Sequence, residues 1–214
     1  YYGGATCLTE GSRDISFREF DRLTDIVGNA LLARGLVPGD RVGVLLPNSV
    51  ECLVAYYALA KAGLVRVGLN TRETLDNHRY KLADSGSRAV IHDDIDGLDV
   101  EMMIGSAEFA AMFKHGDERP CQVDRALDAP LRLGYTGGTT GKAKAVTLTT
   151  RTDLVETSAF LTDLLPTLAR GEVFLHGAPI AHASGAFFLP CLIRGVHSVV
   201  QTKFDVPEFL KLAE

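Results

Sequence analysis

The sequence lacks the cysteine pattern of a disulfide-bonded or zinc-binding protein. Its four cysteines, Cys7, Cys52, Cys121 and Cys191, lie far apart, and no two form a CxxC pair. The six histidines show no metal-ligand spacing either. Because disulfide frameworks and structural zinc sites need closely patterned ligands, we expect neither in this chain. Cysteines of this kind are typical of a reducing, cytoplasmic setting.

The sequence also has no long apolar run and no cluster of basic residues. A membrane-spanning helix needs about 18 or more apolar residues in succession, and no segment reaches that length. The net charge is -5, and the 22 Lys and Arg residues are dispersed. We therefore predict no membrane span and no nucleic-acid face. The first residues, YYGGATCLTE, show neither an initiator Met nor a signal-peptide pattern, which we interpret as a chain that starts inside a longer gene product.

What the chain does contain is an alternation of helices and short apolar strands. Helical periodicity is present in SFREFDRLTDIVGNALLARG, VECLVAYYALAKAG and RETLDNHRYKLADSG. Strand patterns follow each of these helices, in RVGVLL, LVRVGL and RAVIHD. This alternation predicts an α/β fold with mainly parallel sheets flanked by helices. With 214 residues, of which 46% are hydrophobic, the chain can bury a sizeable core.

The segment 93–129 interrupts the alternation. It is rich in Asp, Glu and Gly, and we interpret it as a connection with one short helix near residues 106–113. Beyond it, LRLGY and AVTLT are predicted strands on either side of a glycine loop. A helix in DLVETSAFLTDLLPTLARGE and the strands VFLHGAP and HSVVQT follow. Between these two strands, we expect Pro190 to kink or end the helical segment ASGAFFLPCLIRG.

The glycine loop, TGGTTGKAK at residues 136–144, has the composition of a phosphate-binding loop. It combines three glycines, three threonines and two lysines. The backbone N–H groups of glycines can converge on one anion, while hydroxyls and lysines add further donors and positive charge. The loop is not a Walker A motif, because only three residues separate Gly137 from Gly141 and Ala143 follows Lys142. From the loop alone, a glycine-rich hairpin without a ligand is the alternative interpretation.

The stretch YTGGTTGKAKAV, residues 135–146, resembles the phosphate-binding signature of the adenylate-forming enzymes, which include the acyl-CoA synthetases. That signature reads Tyr-Thr-Ser-Gly-Thr-Thr-Gly-x-Pro-Lys-Gly-Val, and the chain departs from it at Gly137, Ala143 and Ala145. The segment 35–91 is similar to the N-terminal part of an acyl-CoA synthetase. PIAHASG, residues 179–185, is similar to the Pro-Leu-Phe-His-x-x-Gly element of the same family.

The resemblance implies a reaction in two steps. A carboxylic acid attacks the α-phosphate of ATP to give an acyl-adenylate and pyrophosphate, and coenzyme A then takes the acyl group. ATP, Mg2+ and coenzyme A are thus the implied partners, with a medium- or long-chain fatty acid as the first interpretation of the acid and an aromatic acid as the second. The implied phosphate-binding residues are Thr136, Gly137, Gly138, Thr139, Thr140, Gly141 and Lys144, and the implied acyl-pocket residues are His182 and Gly185.

The resemblance also implies a domain organisation. Residues 1–130 would form a first α/β subdomain with its connecting segment, and residues 131–214 would begin a second one that carries the loop. We expect one sheet from residues near 15–92 and a second sheet begun by residues 131–214. No YGxTE or TGD motif occurs in these residues, and we expect the C-terminal domain of the family to be absent. We therefore expect an N-terminal fragment of a synthetase, without a complete catalytic set and inactive alone.

Two alternatives to an enzyme fragment follow from the sequence. One is a stand-alone, non-catalytic nucleotide-binding module or pseudoenzyme of the same fold. The other, a hydrolase, has no support, because GxSxG is missing and Ser184 in HASGA lacks the first glycine of that motif. The fragment hypothesis predicts an exposed apolar face where the rest of the large domain would pack. The oligomeric state is left open, with a homodimer among the candidates.

Overall fold

The computed structural model describes residues 2–136 and 142–213. Its strands are β1 (Thr6–Glu10), β2 (Arg13–Ser16), β3 (Arg41–Leu45), β4 (Val65–Gly68), β5 (Ala89–His92), β6 (Met102–Gly105), β7 (Pro130–Thr136), β8 (Lys144–Thr149), β9 (Val173–His176) and β10 (His197–Val200). Its helices are α1 (Phe17–Ala33), α2 (Val50–Lys61), α3 (Leu75–Ser85), α4 (Ser106–Met112), α5 (Thr150–Ala159), α6 (Ala183–Ala186), α7 (Phe188–Arg194) and α8 (Val206–Ala213). A π-helical segment, Phe160–Leu164, continues α5.

The strands form two sheets. The larger has six strands in the order β6-β5-β3-β4-β7-β8, and all its neighbours are parallel except the hairpin β7–β8. The smaller has the order β2-β1-β10-β9, with β1–β10 and β10–β9 parallel and β1–β2 antiparallel. The predicted α/β fold with mainly parallel sheets is therefore confirmed.

The predicted assignment of strands to the two sheets is wrong. β7 and β8 were expected to begin a second sheet but extend the first one, because β7 pairs along the open edge of β4 through Arg66↔Arg132 and Val67↔Leu133. β1 and β2, at the start of the chain, pair instead with the late strands β10 and β9. Backbone hydrogen bonds join strand edges without regard to sequence distance, so the order of elements does not fix these pairings. The subdomain boundary near residue 130 stays a prediction.

Helix ends follow local sequence signals. The hydroxyl oxygen of Ser16 accepts a hydrogen bond from the backbone N–H of Glu19 at the start of α1, and Thr74 caps α3 in the same way. At the end of α3, Gly86 adopts a left-handed conformation, with φ 61°. The break expected near Pro190 falls at Phe187, between α6 and α7. Pro190 lies in the first turn of α7, where a missing N–H removes no intrahelical hydrogen bond.

Aromatic packing joins the early and late parts of the chain. Phe20 on α1, Tyr57 on α2 and Phe188 on α7 form a three-ring cluster with centroid distances of 5.4 to 5.7 Å. Phe188 is fully buried in this core, so α7 is packed between elements from the first third of the chain. Among the described residues, no helix has both the length and the apolar character that crossing a bilayer requires.

Candidate functional site

The predicted phosphate-binding loop lies between β7 and β8. Residues 137–141 lie outside the described residues, so the structure gives no geometry for Gly137, Gly138, Thr139, Thr140 or Gly141. Thr136 ends β7 and Lys144 begins β8, and the two are directly paired across the antiparallel hairpin. Both side chains are exposed. Two of the predicted phosphate ligands are thereby held side by side at the base of the loop.

Side chains of α3 hold both strands that lead into the loop. The hydroxyl of Tyr135 lies 2.8 Å from a carboxylate oxygen of Asp84 and 3.1 Å from the carbonyl oxygen of Lys81. On the other side of the loop, the hydroxyl of Tyr80 donates to the carbonyl oxygen of Ala143 at 2.9 Å. Burial, followed by the hydrogen bond to Asp84, raises the pKa of Tyr135, so its hydroxyl remains a hydrogen-bond donor. These contacts anchor the loop to a helix of the larger sheet.

A cavity of about 540 Å³ opens beside the base of the loop. Gly134 and Tyr135 of β7 line one side of it, and His182 and Gly185 line another. The structure thus brings the two predicted acyl-pocket residues to the same cavity as the end of β7. The Nε2 atom of His182 lies 3.1 Å from the amide nitrogen of Asn70. Because that nitrogen can only donate, Nε2 of His182 is the acceptor in this pair.

The segment that carries His182 and Gly185 is fixed by one asparagine. The side-chain amide of Asn48 donates to the carbonyl oxygen of Ala178 at 2.9 Å, and its oxygen accepts from the backbone N–H of Ile180 at 2.8 Å. Gly185 is required by close packing, since a Cβ atom there would lie 2.2 Å from the carbonyl oxygen of Ile180. The wall of the cavity is therefore a tightly folded segment rather than a loose loop.

A buried histidine connects this segment to the smaller sheet. Nδ1 of His176 lies 3.0 Å from the hydroxyl of Ser184 on α6, and its Nε2 lies 3.2 Å from the hydroxyl of Ser198 on β10. Burial lowers the pKa of His176 to about 4, so the ring is neutral near neutral pH. A neutral imidazole has one donor and one acceptor, and the two hydroxyls can satisfy both.

Sequence reasoning missed the charged residues of the cavity. Arg66 on β4 and Arg132 on β7 both line it, although each lies within a strand that is otherwise largely apolar. Arg132 pairs with Asp153 and Glu156, each at 2.9 Å. The guanidinium carbon of Arg66 lies 3.8 Å from the ring centroid of Tyr56, in a cation–π contact. Isolated arginines inside apolar strand patterns were the available signal, because buried charge is uncommon without a reason.

The Mg2+ that the resemblance implies has no ligand set in the described part of the chain. Residues 2–136 and 142–213 bring together no group of three or more His, Cys, Asp or Glu side chains that could hold a metal ion. Magnesium prefers carboxylate and phosphate oxygens, and the acidic residues of the cavity, Asp153 and Glu156, are already paired with Arg132. We therefore derive no step through a metal on these residues.

Comparison with known proteins identifies relatives over the full chain. The model of the AMP-binding enzyme family matches residues 1–214. A feruloyl-CoA synthase from Amycolatopsis sp is 31% identical over 222 residues, which cover 98% of this chain and 43% of that protein. The medium/long-chain-fatty-acid–CoA ligase FadD8 from Mycobacterium tuberculosis is 32% identical over 222 residues, covering 91% of this chain and 38% of that protein. The chain thus spans less than half the length of these curated relatives.

Solved structures show the same fold. The N-terminal domain of FACL13 from Mycobacterium tuberculosis matches with a TM-score of 0.89 and 26% sequence identity, over 97% of this chain and 56% of that one. Apo MatB from Rhodopseudomonas palustris matches with a TM-score of 0.86 and 27% identity, over 98% of this chain and 44% of that one. The fold is therefore that of the N-terminal part of these chains, as the sequence predicted.

Proposed function

The chain belongs to the AMP-binding enzyme family, and from this premise we propose that it is part of an ATP-dependent acyl-CoA synthetase. The proposed reaction joins a carboxylic acid to the α-phosphate of ATP and releases pyrophosphate. The thiol of coenzyme A then displaces AMP from the acyl-adenylate to give a thioester. The observation that carries the proposal is the predicted phosphate-binding hairpin beside a cavity that contains His182 and Gly185.

We assign the β- and γ-phosphates of ATP to the loop between β7 and β8. Thr136, Thr139 and Thr140 would donate hydroxyl hydrogen bonds, glycines 137, 138 and 141 would donate backbone N–H groups, and Lys144 would supply positive charge. The pairing of Thr136 with Lys144 supports this assignment, because it places a hydroxyl and an ammonium group on adjacent strand ends. Nucleotidyl transfer depends mainly on positioning and charge stabilisation, which such a loop can provide for the leaving pyrophosphate.

We assign the acid to the cavity. The carboxylate that reacts would lie at the end near Tyr135 and His182, and the rest of the acid would extend along β4 and β7. The hydrogen bond from Asn70 supports a positioning role for His182, since it fixes the ring with Nε2 as an acceptor. Gly185 would keep the wall close to Ile180, because any larger residue would collide with the Ile180 carbonyl oxygen.

The distribution of exposed apolar side chains supports a larger parent protein. Among the described residues, the exposed large hydrophobic side chains lie at or after Leu127, except Val37 and Met103. Four of them, Phe204, Val206, Leu210 and Leu212, lie on α8 or immediately before it. Exposed apolar side chains concentrated on one helix of this kind support a face that packs against other protein. We propose that the remaining synthetase covers it and completes the adenylation site, and that this chain alone does not turn over.

The four cysteines are free and buried, which supports the proposed cytoplasmic setting.

The test is equilibrium binding of Mg-ATP to the protein, measured for the native sequence, Lys144→Ala and Lys142→Ala. Lys142 is a matched control, because it lies two residues away and its Nζ is 5.1 Å from the ring centroid of Tyr80. We expect Lys144→Ala to weaken binding about tenfold through loss of a charge-assisted contact, and Lys142→Ala to leave it nearly unchanged. Equal effects of the two substitutions, or no binding by any form, would contradict the proposed loop.

Acid-dependent exchange of pyrophosphate into ATP by the full-length protein tests the reaction itself. Exchange that requires both a carboxylic acid and Lys144 would support the synthetase. Mg-ATP binding without any acid-dependent exchange would instead favour the non-catalytic nucleotide-binding module.

A further inference from the structure

The cavity carries more positive charge than its own carboxylates neutralise. Its charged lining residues are Arg66, Lys81, Arg125, Arg132, Asp153 and Glu156. Both carboxylates bind one arginine, Arg132. Lys81 is paired separately, with its Nζ 2.6 Å from a carboxylate oxygen of Glu73. Two arginines are left, Arg66 and Arg125, in a protein whose net charge is -5.

Arg66 has an aromatic neighbour but no anion. It is the register partner of Arg132 in the parallel pair β4–β7, so two guanidinium groups extend from adjacent strands. Like charges on directly paired residues repel each other. Among the described residues, Arg66 forms neither a salt bridge nor a hydrogen bond, and its only charge-stabilising contact is the Tyr56 ring. Counting Glu73, the four cations of the cavity face three carboxylates, so one positive charge is in excess, and no carboxylate of the described residues forms an ion pair with Arg66 itself.

Arg125 also lacks hydrogen-bond partners for part of its guanidinium group within the described residues. Its Nη2 donates to the carbonyl oxygen of Leu64 at 3.2 Å. Its Nε and Nη1 atoms are buried and have no hydrogen-bond partner within the described residues. Burial lowers the pKa of Arg125, as expected for a cation removed from water without a counter-ion. The hydroxyl oxygen of Thr150, on the same cavity, is also buried without a partner there.

Buried donors of this kind are costly unless a ligand or ion satisfies them. A guanidinium offers a planar pair of N–H donors that matches a carboxylate, so an anion between Arg66 and Arg125 would satisfy both the charge and the hydrogen bonds. Apolar side chains, including Leu131, Ile180 and Leu189, line other parts of the same cavity. The cavity therefore combines a hydrocarbon-compatible wall with a cationic region.

The cationic region lies away from the loop. β4 and β7 run in the same direction, and Arg66 and Arg132 precede the strand ends Gly68 and Thr136 by two and four residues. Because Arg66 is level with Arg132, and Arg132 is four residues before Thr136, both arginines lie roughly 13 Å from the edge where the loop begins, at a rise of about 3.3 Å per residue. A single extended molecule can thus reach from the loop to the arginines.

We propose that the acid accepted by this cavity carries a second anionic group at its far end, as an α,ω-dicarboxylate does, and that Arg66 and Arg125 bind that group. This inference rests on the proposed function, because it takes the first carboxylate to be the one activated near the loop. The expected substrate is then an acid with charge at both ends, in place of the plain fatty acid or aromatic acid expected from the sequence. Octanoate and suberate test it directly, because they have equal carbon chains and differ in the second carboxylate.

The experiment measures dissociation constants of octanoate and suberate with the full-length protein by calorimetry. We expect suberate to bind at least about tenfold more tightly than octanoate. Arg66→Met should abolish or reverse that preference, and Arg66→Lys should keep part of it because the charge remains. Arg170→Met is the matched control, since Arg170 also lies over an aromatic ring, at 5.8 Å from the centroid of Tyr2, but does not line the cavity.

Two results would overturn the inference. One is octanoate binding as tightly as suberate in the native protein, which needs no variant to be folded. The other is an unchanged suberate-to-octanoate ratio in both Arg66→Met and Arg125→Gln. Mg-ATP binding in the same preparations reports on the proposed function separately. Suberate preference without Mg-ATP binding would support the anion site at Arg66 and Arg125 and contradict the proposed synthetase function. Mg-ATP binding without suberate preference would support the synthetase function and contradict the anion site.

Discussion

The interior strand β5 of the larger sheet and the loop-bearing edge strand β8 differ in how they are stabilised. All four residues of β5 are buried, whereas the first four residues of β8 are exposed. β5 has a strand on each side, and β8 is an edge strand bonded only to β7. The interior strand β5 is stabilised by apolar burial. The edge hairpin β7–β8 is stabilised by a few specific contacts from α3 and α5. Both regions belong to one sheet, so the difference is one of packing rather than of fold.

This difference matches the division of labour that we propose. A buried scaffold positions the site, and the residues that we propose contact ligand lie where fewer neighbours restrain them. The comparison can be tested by substitutions that act on one region and not on the other.

The largest loss of stability is expected for a substitution on the interior strand β5. Ile91 on β5 is fully buried, and Ile91→Ala should lower the free energy of unfolding by about 2 to 5 kcal/mol through lost burial and a residual cavity. Val146→Ala on β8, which removes two methyl groups from a side chain that is 48% exposed, should change stability by less than about 0.5 kcal/mol. Urea unfolding measures both. Similar losses for the two variants would remove the distinction between the regions.

The next effect concerns pH and the buried His176. Its folded-state pKa, about 4, lies below the ordinary histidine pKa of 6.5, so the unfolded chain takes up the proton first as the pH falls. The stability contributed by the neutral ring is present above pH 6.5 and is lost as the pH falls from there toward 4. Proton uptake by His176 in the unfolded chain should lower the free energy of unfolding by about 2 kcal/mol between about pH 7 and about pH 5.

Unfolding curves at the two pH values, compared between the native protein and His176→Gln, isolate that contribution. The variant should show the smaller loss of stability on acidification, although it is less stable at neutral pH. His115→Gln, at an exposed position, is the control and should follow the native protein. An identical acid-induced loss in His176→Gln would show that this ring does not titrate as the structure indicates.

A smaller effect is expected at the anchor of the hairpin. Tyr135→Phe removes the hydroxyl that contacts Asp84 and should destabilise the protein by about 1 kcal/mol, with faster amide exchange along β7. Tyr57→Phe is a matched control, because the Tyr57 hydroxyl makes no hydrogen bond within the described residues. Hydrogen exchange followed by mass spectrometry resolves the two. Unchanged exchange in β7 after Tyr135→Phe would mean that α3 does not anchor the loop.

The smallest effect is expected for an exposed ion pair next to the hairpin. Arg151 and Asp128 are 2.6 Å apart, with side chains 55% and 70% exposed. Water and salt screen such a pair, so Arg151→Ala should leave the unfolding free energy nearly unchanged. Thermal or urea unfolding at low and high salt provides the measurement. A loss comparable to that of Ile91→Ala would show that exposed charge pairs stabilise this edge more than burial does.

Much of the fold was accessible from the sequence. The helical periodicity of SFREFDRLTDIVGNALLARG and RETLDNHRYKLADSG and the strand pattern of RVGVLL identified α1, α3 and β3. The short helix expected near residues 106–113 corresponds to α4, while the strand β6 that precedes it was missed. Its four residues, MMIG, are too short a run to separate from the surrounding connection.

The sequence by itself determined the element types and the loop composition, because periodicity, caps and short motifs are local properties, and the roles of the two residues expected at the acyl pocket stay predictions. Only the tertiary structure decided which strands share a sheet and which charges meet. Arg66, Arg125 and Arg132 come from separate segments and line one cavity only because β7 pairs with β4. The physical reason is that strand pairing and burial depend on contacts between residues far apart in sequence. A local sequence pattern does not show which distant residue pairs with a given charged side chain.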